Sequence, residues 1–253
     1  MRTAALTVLL ALLCLTAGCT NQQPPSDQRA LDTLNQTSAA TQSVTSYHLA
    51  SDAQVTAGNG DQQRTVSLSV VGETNFTAQQ LNVTSRTEDG ESTTYIDGYD
   101  GYRECGVTGP LSRWERLDLT TAEQWRNYTV LGRQLAILER TNVYWRGTET
   151  VDGTETAVIV AYPTEETLQA VSTPASPSTT DAAEMNLQNA TVTLWVDTDT
   201  HRPVQVEHEL VVEQSGATAT ATMTTRFSRY DEPTRVTKPD IDPDSVWETG
   251  CPR

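Results

Sequence analysis

The chain of 253 residues is short of positive charge. Lys238 is its single lysine, and 17 basic residues face 33 acidic ones, for a net charge of −16. No basic stripe forms, which excludes nucleic acid as a partner. Histidine occurs only at His48, His201 and His208. There is no His-Glu-X-X-His, no Gly-X-Ser-X-Gly elbow and no glycine loop of the phosphate-cradling or dinucleotide type. Carboxylates are so abundant that no pair of them marks a general acid and base. The expectation is no catalysis, no cofactor and no bound metal. Beyond Gly18 no stretch approaches the roughly 20 apolar residues that cross a bilayer.

What is present begins with an export signal. One arginine precedes an apolar run from Ala4 to Ala17, then small residues, so 1–18 reads as a signal peptide. Leu15-Thr16-Ala17-Gly18-Cys19 resembles the lipobox of lipoproteins, with Thr16 standing where leucine is usual. The resemblance implies that Cys19 becomes a lipidated N-terminus. Membrane lipid is then a partner through that cysteine, and the chain is tethered to the extracytoplasmic face of the cell membrane. Residues 19–29, with Pro24 and Pro25, read as a flexible stalk. The remaining 30–253 is expected to form a single domain.

Cys14 leaves with the signal. Cys105 and Cys251 remain as an even pair in an oxidising compartment, and a disulfide between them would tie the C-terminal tail to the loop around Cys105. Sequons at Asn35, Asn75, Asn82, Asn127 and Asn189 are glycosylation candidates, expected on exposed loops.

Periodicity divides the rest. Residues 27–45 read as a helix marked by Leu31, Leu34 and Val44. Val66, Leu68 and Val70 alternate with polar residues and open an antiparallel meander punctuated by glycine turns. From 120 to 140 the period changes. Trp125, Tyr128, Leu131, Leu135 and Leu138 fall three or four apart, one face of a single helix capped by Thr120 or Thr121. Asp152-Gly153 marks a hairpin turn. A short helix after Pro163 breaks into a Pro/Ser/Thr segment, 173–186, read as a crossing or lid.

Three long alternating strands close the chain. Val192, Leu194 and Val196 share one face. So do Val204, Val206, His208, Leu210 and Val212, and then Ala219, Ala221, Met223 and Phe227. Between the first two strands lies Asp197-Thr198-Asp199-Thr200-His201, which has the look of a metal site. Asp and Thr also make side-chain-to-backbone turn bonds, so we read it as a turn leading to Pro203. His208 reads as a core histidine with one satisfied nitrogen. Asp240, Asp242 and Asp244 read as a solvated tail.

In order, YIDGYDGYRE, SRWERLD, RGTETVDGTETAVIV, VTLWVDTDTHRPVQVE and TRFSRYDEPTRVTKP resemble phrases of LolA/LppX-type lipoprotein-carrier domains over roughly 30–243. The acidic, lysine-poor composition resembles lipoproteins of halophilic archaea, in which salt screens self-repulsion. The family resemblance implies an α+β fold: a strongly curved antiparallel sheet, an unclosed half-barrel, with helices packed on its concave face. It also implies a hydrophobic, lipid-like ligand between sheet and helices. The alternative is a structural or interaction lipoprotein with a filled core. Large aliphatics favour a core, because each buried methylene is worth about 0.8 kcal/mol. A row of alanines therefore leaves room, either for close approach of a helix or for a ligand. The expected pocket is lined by Val204, Val206, Leu210, Val212, Ala219, Ala221 and Met223, facing Trp125, Tyr128, Leu131 and Leu135.

Overall fold

The computed structural model describes residues 23–59, 62–105, 113–171, 186–214, 216–247 and 251. The signal, Cys19 and most of the 173–186 segment lie outside them. Helix α1 (Gln28–Gln42) leads into β1 (Ser46–Asn59) and β2 (Gln62–Asn75). The meander continues through β3 (Gln80–Thr87), β4 (Gly90–Asp97), β5 (Asp100–Cys105) and β6 (Arg113–Asp118). Helices α2 (Ala122–Tyr128) and α3 (Val130–Glu139) precede the hairpin β7 (Val143–Val151) and β8 (Thr154–Ala161). After α4 (Glu165–Ala170) come β9 (Asn186–Asp197), β10 (Pro203–Gln214) and β11 (Ala217–Ser228), then the short β12 (Val246–Trp247).

All the strands join one 12-stranded sheet in the order β12-β6-β5-β4-β3-β2-β1-β11-β10-β9-β8-β7. Every pairing is antiparallel except that of β12 with β6. Pairing of β1 with β11 joins the two meanders, while β7 and β12 remain as edges. The result is the α+β, curved and unclosed sheet that was expected.

Alternation decides the core. Inward residues of β1 and β8–β11, including Tyr47, Ile159, Leu194 and Val206, meet Leu34 of α1 and Leu131, Leu135 and Leu138 of α3. A second, smaller core joins Leu81, Ile96, Leu117 and Leu119 to Trp125 and Tyr128 of α2.

The single helix expected over 120–140 is two. Thr129 is extended, at φ −71° and ψ 133°, and serves both as C-cap of α2 and as N-cap of α3. Its hydroxyl donates to Arg126 O at 2.7 Å and accepts from Gly132 N–H at 3.1 Å. A β-carbon on Gly132 would stand 2.3 Å from Arg126 O, so the close return of the chain requires glycine there.

Residues 24–27, read from the sequence as part of a flexible stalk, are bonded to the domain. Asp27 N–H donates to Val143 O at 2.9 Å, and Asp27 Oδ2 accepts from Trp145 N–H at 2.9 Å. Pro24 O accepts from Asn142 at 3.0 Å and from the Tyr144 hydroxyl at 2.6 Å. Residues 24–27 therefore belong to the domain and cover the open edge of β7, whose unpaired groups would otherwise invite another strand.

Candidate functional site

The registers place side chains in rows across the concave face. One row runs Val70–Ser51–Thr225–Val206–Leu194–Ile159. The next runs Leu68–Ala53–Met223–His208–Val192–Ala161. Then come Val66–Val55–Ala221–Leu210–Ala190 and Arg64–Ala57–Ala219–Val212–Leu187. The first of these rows is closed, with Val206, Leu194 and Ile159 fully buried in the core that holds α3. The outer rows are open among the described residues: Val55 is 42% and Val66 36% exposed, and Leu210, Ala221 and Val212 are half-buried. Among the described residues, one face of the sheet thus begins as packed core and continues as open, mostly apolar surface.

The expected pocket residues divide accordingly. Leu210, Val212, Ala219, Ala221 and Met223 lie on the outer rows. Val206, Leu131 and Leu135 are core. Val204 falls at a β-bulge between Pro203 and Gln205 and leaves the rows. Trp125 and Tyr128 do not face the alanines at all, because the break at Thr129 turns them into the second core. Trp125 and Leu135 do meet in a separate cleft of about 330 Å³, lined also by Ser38, Thr41, Val44, Phe76, Gly132 and Glu139. That cleft opens between the helices and not on the alanine rows.

A polar group sits where covered face meets open face. Ser51 and Thr225, both buried, share a 2.6 Å hydrogen bond across β1 and β11. One row out, His208 is buried against Gln134 of α3. The amide oxygen of Gln134 only accepts, so Nε2 of His208 carries the proton and donates. Burial, with the nearby Arg133 guanidinium, pushes His208 down to about 4. Arg133 is half-buried on α3 next to Gln134, and among the described residues its guanidinium makes no hydrogen bond or ion pair, although its backbone N–H donates to Thr129 O at 3.0 Å. Burial pushes its guanidinium below the ordinary arginine value. The Tyr47 hydroxyl, raised by burial, accepts from Leu131 N–H at 3.3 Å.

Sequence reasoning named His208 but missed Arg133, Gln134, Ser51 and Val55. Two signals were present. The run SDAQVTAG alternates in step with β11, and VLGRQLAIL places two polar residues inside an apolar helix.

The remaining readings concern turns and surface. Asp197 Oδ1 accepts from Asp199 and Thr200 N–H, each at 2.8 Å, so the Asp-Thr-Asp-Thr-His stretch is a turn. Asp242 Oδ1 accepts from Asp244 N–H at 3.0 Å in the tail. Among the described residues no group of three His, Cys, Asp or Glu gathers to hold a metal. The sequons lie in helices and strands, not on loops. Asn35 and Asn189 are exposed, while Asn75 and Asn82 donate to Thr234 O and Thr237 O, at 3.0 and 3.1 Å. Asn127 is half-buried on α2. Cys105 and Cys251 are disulfide-bonded, with their Cα atoms 5.5 Å apart.

No protein-family model matches the chain, and no curated protein matches it. Among solved structures it is similar to lipoprotein LppX of Mycobacterium tuberculosis, at 17% identity and a TM-score of 0.49, over 84% of this chain and 100% of that one. It is similar to LprF of Mycobacterium bovis at 13% identity and a TM-score of 0.45, over 85% and 99%. A LolA superfamily protein of Nitrosomonas europaea gives 13% identity and a TM-score of 0.26, over 81% and 94%. These are likenesses of fold alone.

Proposed function

We propose that the protein is a lipid-anchored binding protein of the cell envelope. It holds a hydrophobic, lipid-like ligand between sheet and helices and performs no catalysis. Lipidation of Cys19 would keep it on the extracytoplasmic face of the membrane, beside the source of such ligands. The supporting observation is the row Val66–Val55–Ala221–Leu210, apolar and open among the described residues on the same face that α3 seals further along. Continuous apolar surface on a soluble domain marks a place where something binds. The full burial of Val206, Leu194 and Ile159 favours the second reading, a filled core and an interaction lipoprotein. Asn35 and Asn189 are the sequons whose exposure suits a glycan, which peptide masses of the native protein would reveal.

One preparation tests the reading. Protein purified from membranes should carry extractable lipid, and Cys19→Ser should appear in the medium or remain unprocessed. Ala221→Trp should lose the lipid and keep the wild-type unfolding curve, because its site is half-buried on an open row. Wild type without lipid, together with an Ala221→Trp variant that unfolds from overpacking, would establish the solid interaction module instead.

A further inference from the structure

Arg133 has a setting unlike those of the other described arginines. Arg86, Arg103, Arg116, Arg126, Arg140, Arg202 and Arg226 pair with carboxylates, Arg29 and Arg113 stack on Trp145 and Trp247, Arg146 donates to the Tyr162 hydroxyl, and Arg64, Arg229 and Arg235 are exposed to water. Arg133 is half-buried on α3, between Leu131, whose N–H donates to Tyr47, and Gln134, which bonds the inward-facing His208, and among the described residues no carboxylate pairs with it. In a chain of net charge −16, carboxylates are abundant, so a partly desolvated cation with none is a conspicuous vacancy of charge. Removing a charge from water is costly unless a partner replaces the lost solvation. His208, bonded to the next residue of α3, marks the row from which the open apolar rows begin.

We propose that the ligand is a single-chain amphiphile with an anionic head group, which pairs with the Arg133 guanidinium while the chain lies along the Val55–Ala221–Leu210 and Ala57–Ala219–Val212 rows. The planar fork of arginine matches both carboxylate and phosphate oxygens. The hydroxyl pair of Ser51 and Thr225, buried and bonded to each other, lies one row inward from His208 and marks the end of the open rows. The assignment rests on the lipid-binding reading above and deepens it by naming the class of ligand.

The test compares laurate, dodecyl phosphate and dodecanol, three probes with one chain and different heads, by calorimetry on the intact domain. Both anions should bind about tenfold or more tightly than the alcohol, the size of one charge-assisted hydrogen bond in a shielded site. The tighter of the two anions identifies the head-group chemistry. Arg133→Gln should reduce both anions to the alcohol's affinity and leave dodecanol unchanged, with an unaltered circular dichroism spectrum. Arg133→Lys should retain part of the preference. Equal binding of anion and alcohol by wild type, or a preference that survives Arg133→Gln, overturns the head-group assignment while the apolar site stands. Failure of all three probes to bind overturns the lipid-binding reading, and this assignment with it.

Discussion

His208 stands on an apolar strand face with Gln134 on one side and Arg133 nearby, and that setting makes stability depend on pH. Its folded value is about 4, against an ordinary 6.5 in the unfolded chain. The unfolded state therefore takes up a proton first as the medium is acidified. Stability from this group is complete above about pH 6.5, falls as pH drops, and levels off near pH 4, over a span worth about 3 kcal/mol. Urea midpoints measured from pH 7 to pH 4 should fall more steeply for wild type than for His208→Gln. Carboxylates titrate in both proteins, so the difference between the two slopes is the measurement. Parallel slopes would show that His208 is not buried in its neutral form.

Elements of this fold are decided by single caps. Thr129 ends one helix and starts the next, and its hydroxyl serves both through bonds of 2.7 and 3.1 Å. Thr129→Val keeps the shape and removes both bonds. It should cost about 1–2 kcal/mol in denaturant unfolding, as losing a helix cap generally does. A variant as stable as wild type would mean that the two cores, not the cap, impose the break. The β7–β8 turn is a simpler case. Asp152 and Gly153 both have positive φ, 49° and 85°, the backbone of a tight hairpin that Asp-Gly signals in sequence. At the other end of the element scale, residues 24–27 do work that composition does not announce. Two prolines and polar residues suggest a free stalk, yet backbone and side-chain bonds to β7 hold them in place.

For the molecule as a whole, the sheet is one long open ribbon whose far edge is β12. The Cys105–Cys251 bond, spanning 146 residues, pins the tail that carries β12 beside β6. Closing so long a loop restricts the unfolded chain, with a typical effect of roughly 2–4 kcal/mol. Thermal unfolding of Cys105→Ser/Cys251→Ser should show a loss of that order, and the same loss should follow reduction of wild type. Reductant that leaves the wild-type melting curve unchanged would mean that the pairing with β6 holds the tail without the bond.

Local pattern was enough to specify much of this protein. The two-residue alternation named the long strands and their inward faces, because a pleated strand turns every second side chain to the same side. Asp-Thr-Asp-Thr-His was legible as a turn, since Asp197 bonds its own following backbone. Two cysteines in an oxidising setting were legible as a disulfide. What stayed hidden depends on which segments meet. Nothing in residues 120–140 says that Trp125 and Leu131 serve different cores, because an apolar helix face has the same period whether or not it breaks. Val55 and Ala221 become neighbours only through the β1–β11 register, across more than half the chain. Arg133 reads in sequence as one more charge on a helix. Its want of a partner is a property of the space between α3 and the sheet, and burial of that kind exists only once the chain has folded.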